Sequence, residues 1–170
     1  EEVQLMPLAT VQGLLPGAAV RPVTATARVG VGSGLLGRVV DGLGAPLDDG
    51  PAIEPEVYVP LRGGRRNPLE RAPITSVLDV GVRAVNSFLT IGLGQRVGLV
   101  AGSGVGKSML LGMMTKFASA DVVVIGMIGE RGREVREFIE DVLGAEGLAR
   151  SVVVVVTSDK PPVLQVRGAF

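Results

Sequence analysis

The chain reads as an α/β protein whose parallel sheet follows the remainder of a small all-β unit. Three observations predict this. After Pro73, apolar runs of strand length alternate with amphipathic helical stretches. Hydrophobic residues make up 46% of the 170 residues but aromatic ones only 3%, so the core is aliphatic and suits a sheet covered by helices. A glycine-rich turn at residues 101–108 joins one such run to one such helix.

Before residue 50 the β-like runs are short: Val3–Leu8, Ala18–Val23, Thr24–Val31 and Gly37–Val40. Dense turn signals such as Gly30-Val31-Gly32-Ser33-Gly34 and Asp48-Asp49-Gly50-Pro51 separate them, which assigns residues 1–50 to the all-β unit. Residues 51–72, with prolines at 51, 55, 60 and 68, read as an extended linker. Its basic patch, Arg62-Gly63-Gly64-Arg65-Arg66, reads as solvated, since no aromatic residues interleave for base stacking.

Residues 73–170 form the α/β part. Val82, Val85, Phe88 and Leu89 give Asp79–Leu89 a helical face. Val97–Val100 is the first strand expected here, and Met109–Phe117 the helix after the turn. Val122–Ile128 is a continuous apolar strand that should be covered on both faces. Val135, Phe138, Ile139, Val142 and Leu143 recur at helical spacing, so Arg133–Leu143 is an amphipathic helix ended by Gly144. Five consecutive valines, Val152–Val156, predict a buried central strand. With right-handed crossovers the result is a doubly wound layer.

Composition narrows the chemistry. Formal net charge is zero, which argues against a strongly basic nucleic-acid binder. With no Cys and no His, thiolate nucleophiles, imidazole bases and disulfides are excluded, and proton transfer falls to carboxylates or water. No apolar stretch approaches the ~20 residues of a membrane span, and no signal-peptide pattern opens the chain; it is expected to be soluble.

The turn spells Ala101, Gly102, Ser103, Gly104, Val105, Gly106, Lys107, Ser108, with Met109 opening the helix. Glycines let consecutive N–H groups curl around a phosphate, and the helix start adds unpaired donors and a positive dipole end. Lys107 is placed for the β- and γ-phosphates of ATP, and the Ser108 hydroxyl for Mg²⁺. Ala101 replaces the usual first glycine and keeps the side chain small. This is a phosphate-binding loop of the Walker A type.

A second element follows Val122–Ile128, in Gly129-Glu130-Arg131-Gly132-Arg133-Glu134. Ligands of parallel sheets gather at the carboxyl ends of strands, so Glu130 can lie near the γ-phosphate and orient an attacking water. Arg131 can answer the charge developing on the transferred group. The competing reading is that Glu130 and Glu134 only favour a helix start and the arginines pair with them on the surface. Asp159, three residues past Val156, reads as an ordinary loop aspartate.

These phrases resemble a known family. Residues 101–108 with the following Met-Leu-Leu-Gly-Met-Met, and Ile128–Val135, are similar to the export ATPases of bacterial flagella and type III secretion systems. So are Leu78–Arg96 and Gly37–Asp48, the latter resembling the end of their N-terminal barrel. The resemblance implies a RecA-like core, ATP and Mg²⁺ as ligands, and a homohexamer with nucleotide at subunit interfaces. It implies Lys107 and Ser108 as phosphate and Mg²⁺ residues, Glu130 as the catalytic carboxylate and Arg131 near the γ-phosphate. Further implications are ATP-driven unloading of cargo from export chaperones, and contacts with a stator-like regulator, a central stalk protein and the export gate. It also implies a cytoplasmic protein held peripherally at the inner membrane, with no nucleic-acid partner.

In such a family the sequence would continue on both sides, carrying the Mg²⁺-orienting aspartate, a trans-acting arginine, the adenine pocket and a C-terminal helical domain. Residues 1–170 alone are then expected to hydrolyse little ATP. The alternatives are the catalytic subunit of a rotary ATP synthase, a RecA-like RNA translocase, and a nucleotide-binding subunit without turnover. Gly-Arg-Glu-Val after Arg131 favours export, and Glu at 130 favours catalysis. Flagellar and virulence-associated exporters share these phrases, the phosphate loop being nearer the flagellar wording.

Overall fold

The computed structural model describes residues 4–8, 11–21, 28–64, 67–102 and 104–170. Readings that fall on 1–3, 22–27 and 65–66, and on Ser103 of the loop, lie outside the described residues. Five strands are present among the described residues: β1 (Arg28–Val31), β2 (Val39–Asp41), β3 (Val57–Pro60), β4 (Val123–Ile128) and β5 (Ser151–Val156). The helices are α1 (Arg83–Phe88), α2 (Lys107–Phe117), α3 (Gly132–Glu137), α4 (Gly144–Ala149) and α5 (Pro162–Gly168). A wide π turn, Phe138–Leu143, bridges α3 and α4.

β5 is the centre of a three-stranded parallel sheet in the order β2-β5-β4. Its register with β4 runs from Val123 opposite Ser151 to Ile128 opposite Val156. Side chains alternate across a strand, so Val153 and Val155 share one face and Val154 and Val156 the other. Val135, Phe138 and Leu143 close over the first face, with Ile125 and Met127 of β4 packed beside them. Leu143 and Val153 are fully buried there. On the second face α5 seats its Gly168 against Val156 and Ile128, where a Cβ would meet both side chains. The valine run is therefore covered on both sides, as its β-branched composition requires.

Several elements differ from the sequence expectation. Gly37–Val40, expected in the all-β unit, supplies β2, which pairs in parallel with β5 of the α/β sheet. Val57–Pro60, expected as linker, is β3 and pairs antiparallel with β1. Residues 4–8 and 18–21 are exposed and in no strand. The predicted strand Val97–Val100 forms no ladder among the described residues, and Val100 is 96% exposed. A strand exists only with a partner. Here a cavity of about 660 Å³ separates Val97 and Leu99 from Val122–Met127. That leaves β4 as an edge, with Val124 69% exposed, rather than covered on both faces. Asp79–Val82 is not helical because Gly81 takes φ 72°. Gly144 does interrupt the amphipathic helix, at φ 64°, but a further turn follows it as α4.

β2 is anchored from outside the sheet. Arg38 grips the Asp48 carboxylate with Nε at 2.9 Å and with the terminal nitrogen at 2.6 Å. The same carboxylate accepts the N–H groups of Val39 and Gly50. Between them the chain turns tightly, with the Asp41 carboxylate accepting from Leu43 and Ala45. Arg38 and these N–H donors hold the Asp48 carboxyl well below the usual carboxylate range.

Two outcomes follow from this packing. Leu143→Ala should cost about 2–5 kcal/mol of stability in denaturant unfolding; under ~1 kcal/mol would mean the core closes elsewhere. Because the native Asp48 pKa is depressed, its stabilising effect is present above the unfolded-state value of about 3.9 and fades as pH falls below it. Asp48→Ala should thus melt below wild type at pH 7, with the gap narrowing in acid. A gap of constant size from pH 7 to pH 3 would contradict the clamp.

Candidate nucleotide site

α2 begins where the glycine-rich loop ends. Gly104 and Gly106 take φ 77° and 91°, a left-handed conformation that side chains other than glycine rarely adopt. Among the described residues, and apart from their chain neighbours, no atom lies within 4 Å of where a Cβ would stand on Gly102, Gly104 or Gly106, so the backbone is open there. The first helical bond runs from the Leu110 N–H to the Gly106 carbonyl at 2.9 Å. The N–H groups of Lys107, Ser108 and Met109 are thereby left free of helical partners and point out of the helix start. Lys107 is exposed and enters no ion pair among the described residues.

Glu130 reaches the same place from the end of β4. β4 ends at Ile128, and Gly129 turns the chain at φ 78°. The turn is tied to the end of β5 by two backbone bonds, Gly129 N–H to the Val156 carbonyl at 2.7 Å and Ser158 N–H to the Glu130 carbonyl at 3.0 Å. Glu130 is half-buried. A cavity of about 520 Å³ is walled by Ala101, Gly102, Gly104, Gly106, Lys107, Ser108 and Met109 on one side. Glu130 and Glu134 form the other side. A cationic, donor-rich cradle and a carboxylate thus share one cleft at the carboxyl end of the sheet.

Not every candidate residue joins them. Val105 is 68% exposed and turns away from the cleft wall. Arg131 also stays off that wall; its side chain is 75% exposed and pairs with Glu134 at 3.6 Å, across one turn of α3. The pairing expected from helix-surface chemistry is therefore present for Arg131, and for Arg133 with Glu137 at 3.8 Å. Sequence reasoning missed Glu134 as a wall residue. Its signal was the four-residue spacing from Glu130, which places it in the first turn of the next helix. Asp159 is exposed, and the Thr157 hydroxyl holds its carboxyl below the ordinary range. It lines neither the cleft nor the apolar cavity beside it.

The donor set suits a magnesium nucleotide. Open glycines and free N–H groups match phosphate oxygens, Lys107 matches their charge, and the Ser108 hydroxyl with Glu130 and Glu134 offers oxygen ligands for a hard cation. Among the described residues no cluster of three or more His, Cys, Asp and Glu forms a metal cage.

Comparison with known proteins agrees with this chemistry. Residues 81–170 match the ATP synthase alpha/beta family, nucleotide-binding domain. The flagellum-specific ATP synthase of Pseudomonas aeruginosa is 53% identical over 168 residues, which is 99% of this chain and 37% of that protein. The assembled ATPase EscN of the enteropathogenic E. coli type III secretion system superposes with a TM-score of 0.82 at 40% identity. That superposition covers 96% of this chain and 40% of EscN. EscN in complex with its central stalk EscO gives 0.78 at 44% identity, over 84% and 35% of the two chains. This chain thus spans less than two-fifths of the flagellar relative's length. With a RecA-like α/β core, a phosphate-loop helix and a match over its last 90 residues, the chain belongs to the ATP synthase alpha/beta family.

Proposed function

We propose that the protein is an ATPase that energises protein export through a flagellar or type III secretion apparatus. The observation that carries this is the cleft shared by Lys107, Ser108 and Glu130, reached from two separate elements. The flagellar relative in P. aeruginosa and the secretion ATPase EscN support the export setting.

In this reading the N–H groups of the glycine loop and of α2's first turn hold the phosphates, and Lys107 neutralises the β- and γ-phosphate charge. The Ser108 hydroxyl would hold Mg²⁺, which would neutralise phosphate charge and so ease the approach of a nucleophile. Glu130 accepts a hydrogen bond from the attacking water and orients it in line with the γ-phosphorus. Water oxygen forms the new bond to phosphorus, the bond to the β-phosphate oxygen breaks, the proton water gives up passes by way of Glu130 to the released phosphate, and ADP and phosphate leave. Half-burial of Glu130 strengthens its hold on that water relative to a freely solvated carboxylate.

EscN is described as an assembled ATPase in complex with a central stalk, and this supports a homohexamer and a stalk partner here. The further partners we propose are a stator-like regulator, the export gate, and chaperones with their cargo. The proposed location is the cytoplasmic face of the inner membrane, by peripheral attachment; no helix among the described residues is long and apolar enough to cross a membrane.

The test uses the full-length protein. Glu130→Gln should lower kcat for ATP by at least ~10²-fold while the affinity for a fluorescent ATP analogue stays within about threefold. Lys107→Ala should instead weaken analogue binding itself. Unchanged turnover in Glu130→Gln would remove Glu130 from the chemistry, and a wild type without turnover would favour a nucleotide-binding subunit without catalysis.

A further inference from the structure

Both walls of the cleft are the starts of helices, and those helices meet again behind it. α2 leaves from Lys107. The other helix leaves from Gly132, just after Glu130, and runs through the π turn. They touch where Gly112 of α2 faces Val142 of the π turn. Gly112 is buried, and a Cβ there would overlap Val142 Cγ1, with the Val142 Cβ at 3.5 Å and its carbonyl at 3.6 Å behind.

The atom that would have to give way is the Val142 Cγ1. Val142 is β-branched, and in helical backbone its χ1 has one strongly preferred state. Restoring carbon–carbon contact near ~3.5 Å would push the two axes apart by about 1 Å or more. Each helix is also pinned beyond the crossing. Arg150 donates to the Lys116 and Ala118 carbonyls at the end of α2, at 3.2 and 3.0 Å. Leu143 is fully buried, and a Cβ on Gly147 of α4 would stand 2.7 Å from its Cδ1. With far ends fixed, a spread at the crossing is felt at the near ends. Gly112 lies five residues, about 7.5 Å of helix, from Lys107.

A glycine inside an exposed helix would be a plain loss of about 1 kcal/mol in propensity relative to alanine. Here it is the residue that permits close approach. We propose that Gly112 is a positioning residue: its missing side chain sets the distance between the phosphate-holding end of α2 and Glu130. The proposal rests on the hydrolytic reading of the cleft. The phosphate cradle travels with α2 and stays whole when the helix shifts, so binding and turnover should respond differently.

The experiment is a mutant cycle in full-length protein: Gly112→Ala, Val142→Ala and both together, with kcat, KM for ATP and Tm. Gly112→Ala should lower kcat about tenfold or more while KM stays within about threefold, in keeping with the steep cost of ångström-scale misplacement. Val142→Ala, which opens space, should lower Tm yet keep kcat near wild type. In the double variant the new methyl has room, and kcat should return to within about threefold of wild type even where Gly112→Ala folds poorly. An unchanged kcat in Gly112→Ala, or a folded double variant with kcat still depressed, would overturn the proposal. A wild-type protein that turns over no ATP would instead sink the hydrolytic reading, and this inference with it.

Discussion

Parallel pairing of β4 with β5 governs where the chemistry can occur. Six residues of β4 run in register beside the valine strand, and the backbone bonds that end this ladder fold Gly129 and Glu130 over the carboxyl edge. Parallel neighbours must be joined by a crossover, so the chain between them becomes α3, the π turn and α4, packed on one face. That packed crossover is also the surface on which α2 lies. Moving β4 by one residue against β5 would turn Ile125 and Met127 out of the core and swing Glu130 off the edge.

The phosphate loop has a different origin of order. Its own upstream segment is not held by a ladder, so α2 is positioned from its flank and far end. Gly112 contacts Val142, Arg150 caps the final carbonyls, and Ser119 donates its N–H to the Asp79 carbonyl at 2.9 Å. Gly81 then takes a left-handed conformation where a side chain would overlap Phe117. The phosphate loop and the turn after β4 are thus brought to one cleft by helix packing behind it.

Much of the α/β half was legible because its signals are local. Five valines admit little besides a buried strand, and the three- and four-residue spacing from Val135 to Leu143 admits little besides a helix. The loop was legible from glycine positions and Lys107-Ser108. Other features depend on partners far along the chain. Val97–Val100 and Val123–Ile128 look equally apolar, yet only the second finds β5. Gly37–Val40 reads as another short β run, and nothing local says that the partner of β2 is more than 100 residues away. α5 was not foreseen, although Pro162 stands at its first position, where proline favours a helix start. That Lys107, Ser108 and Glu130 line one cleft was foreseeable from the glycine loop and from the end of the Val122–Ile128 run. The exposure of Arg131 was not, since only the structure shows its side chain off the cleft lining and paired with Glu134.

The central claim is that Lys107 and Glu130 act on one triphosphate from opposite walls. Its most direct test is a crystal structure of the full-length protein with magnesium and a non-hydrolysable ATP analogue. The account predicts phosphates seated on the N–H groups of residues 104–109, with the Glu130 carboxylate one water away from the γ-phosphorus. Phosphates bound there with Glu130 turned out of the cleft, its place near the γ-phosphate taken by another group, would contradict it.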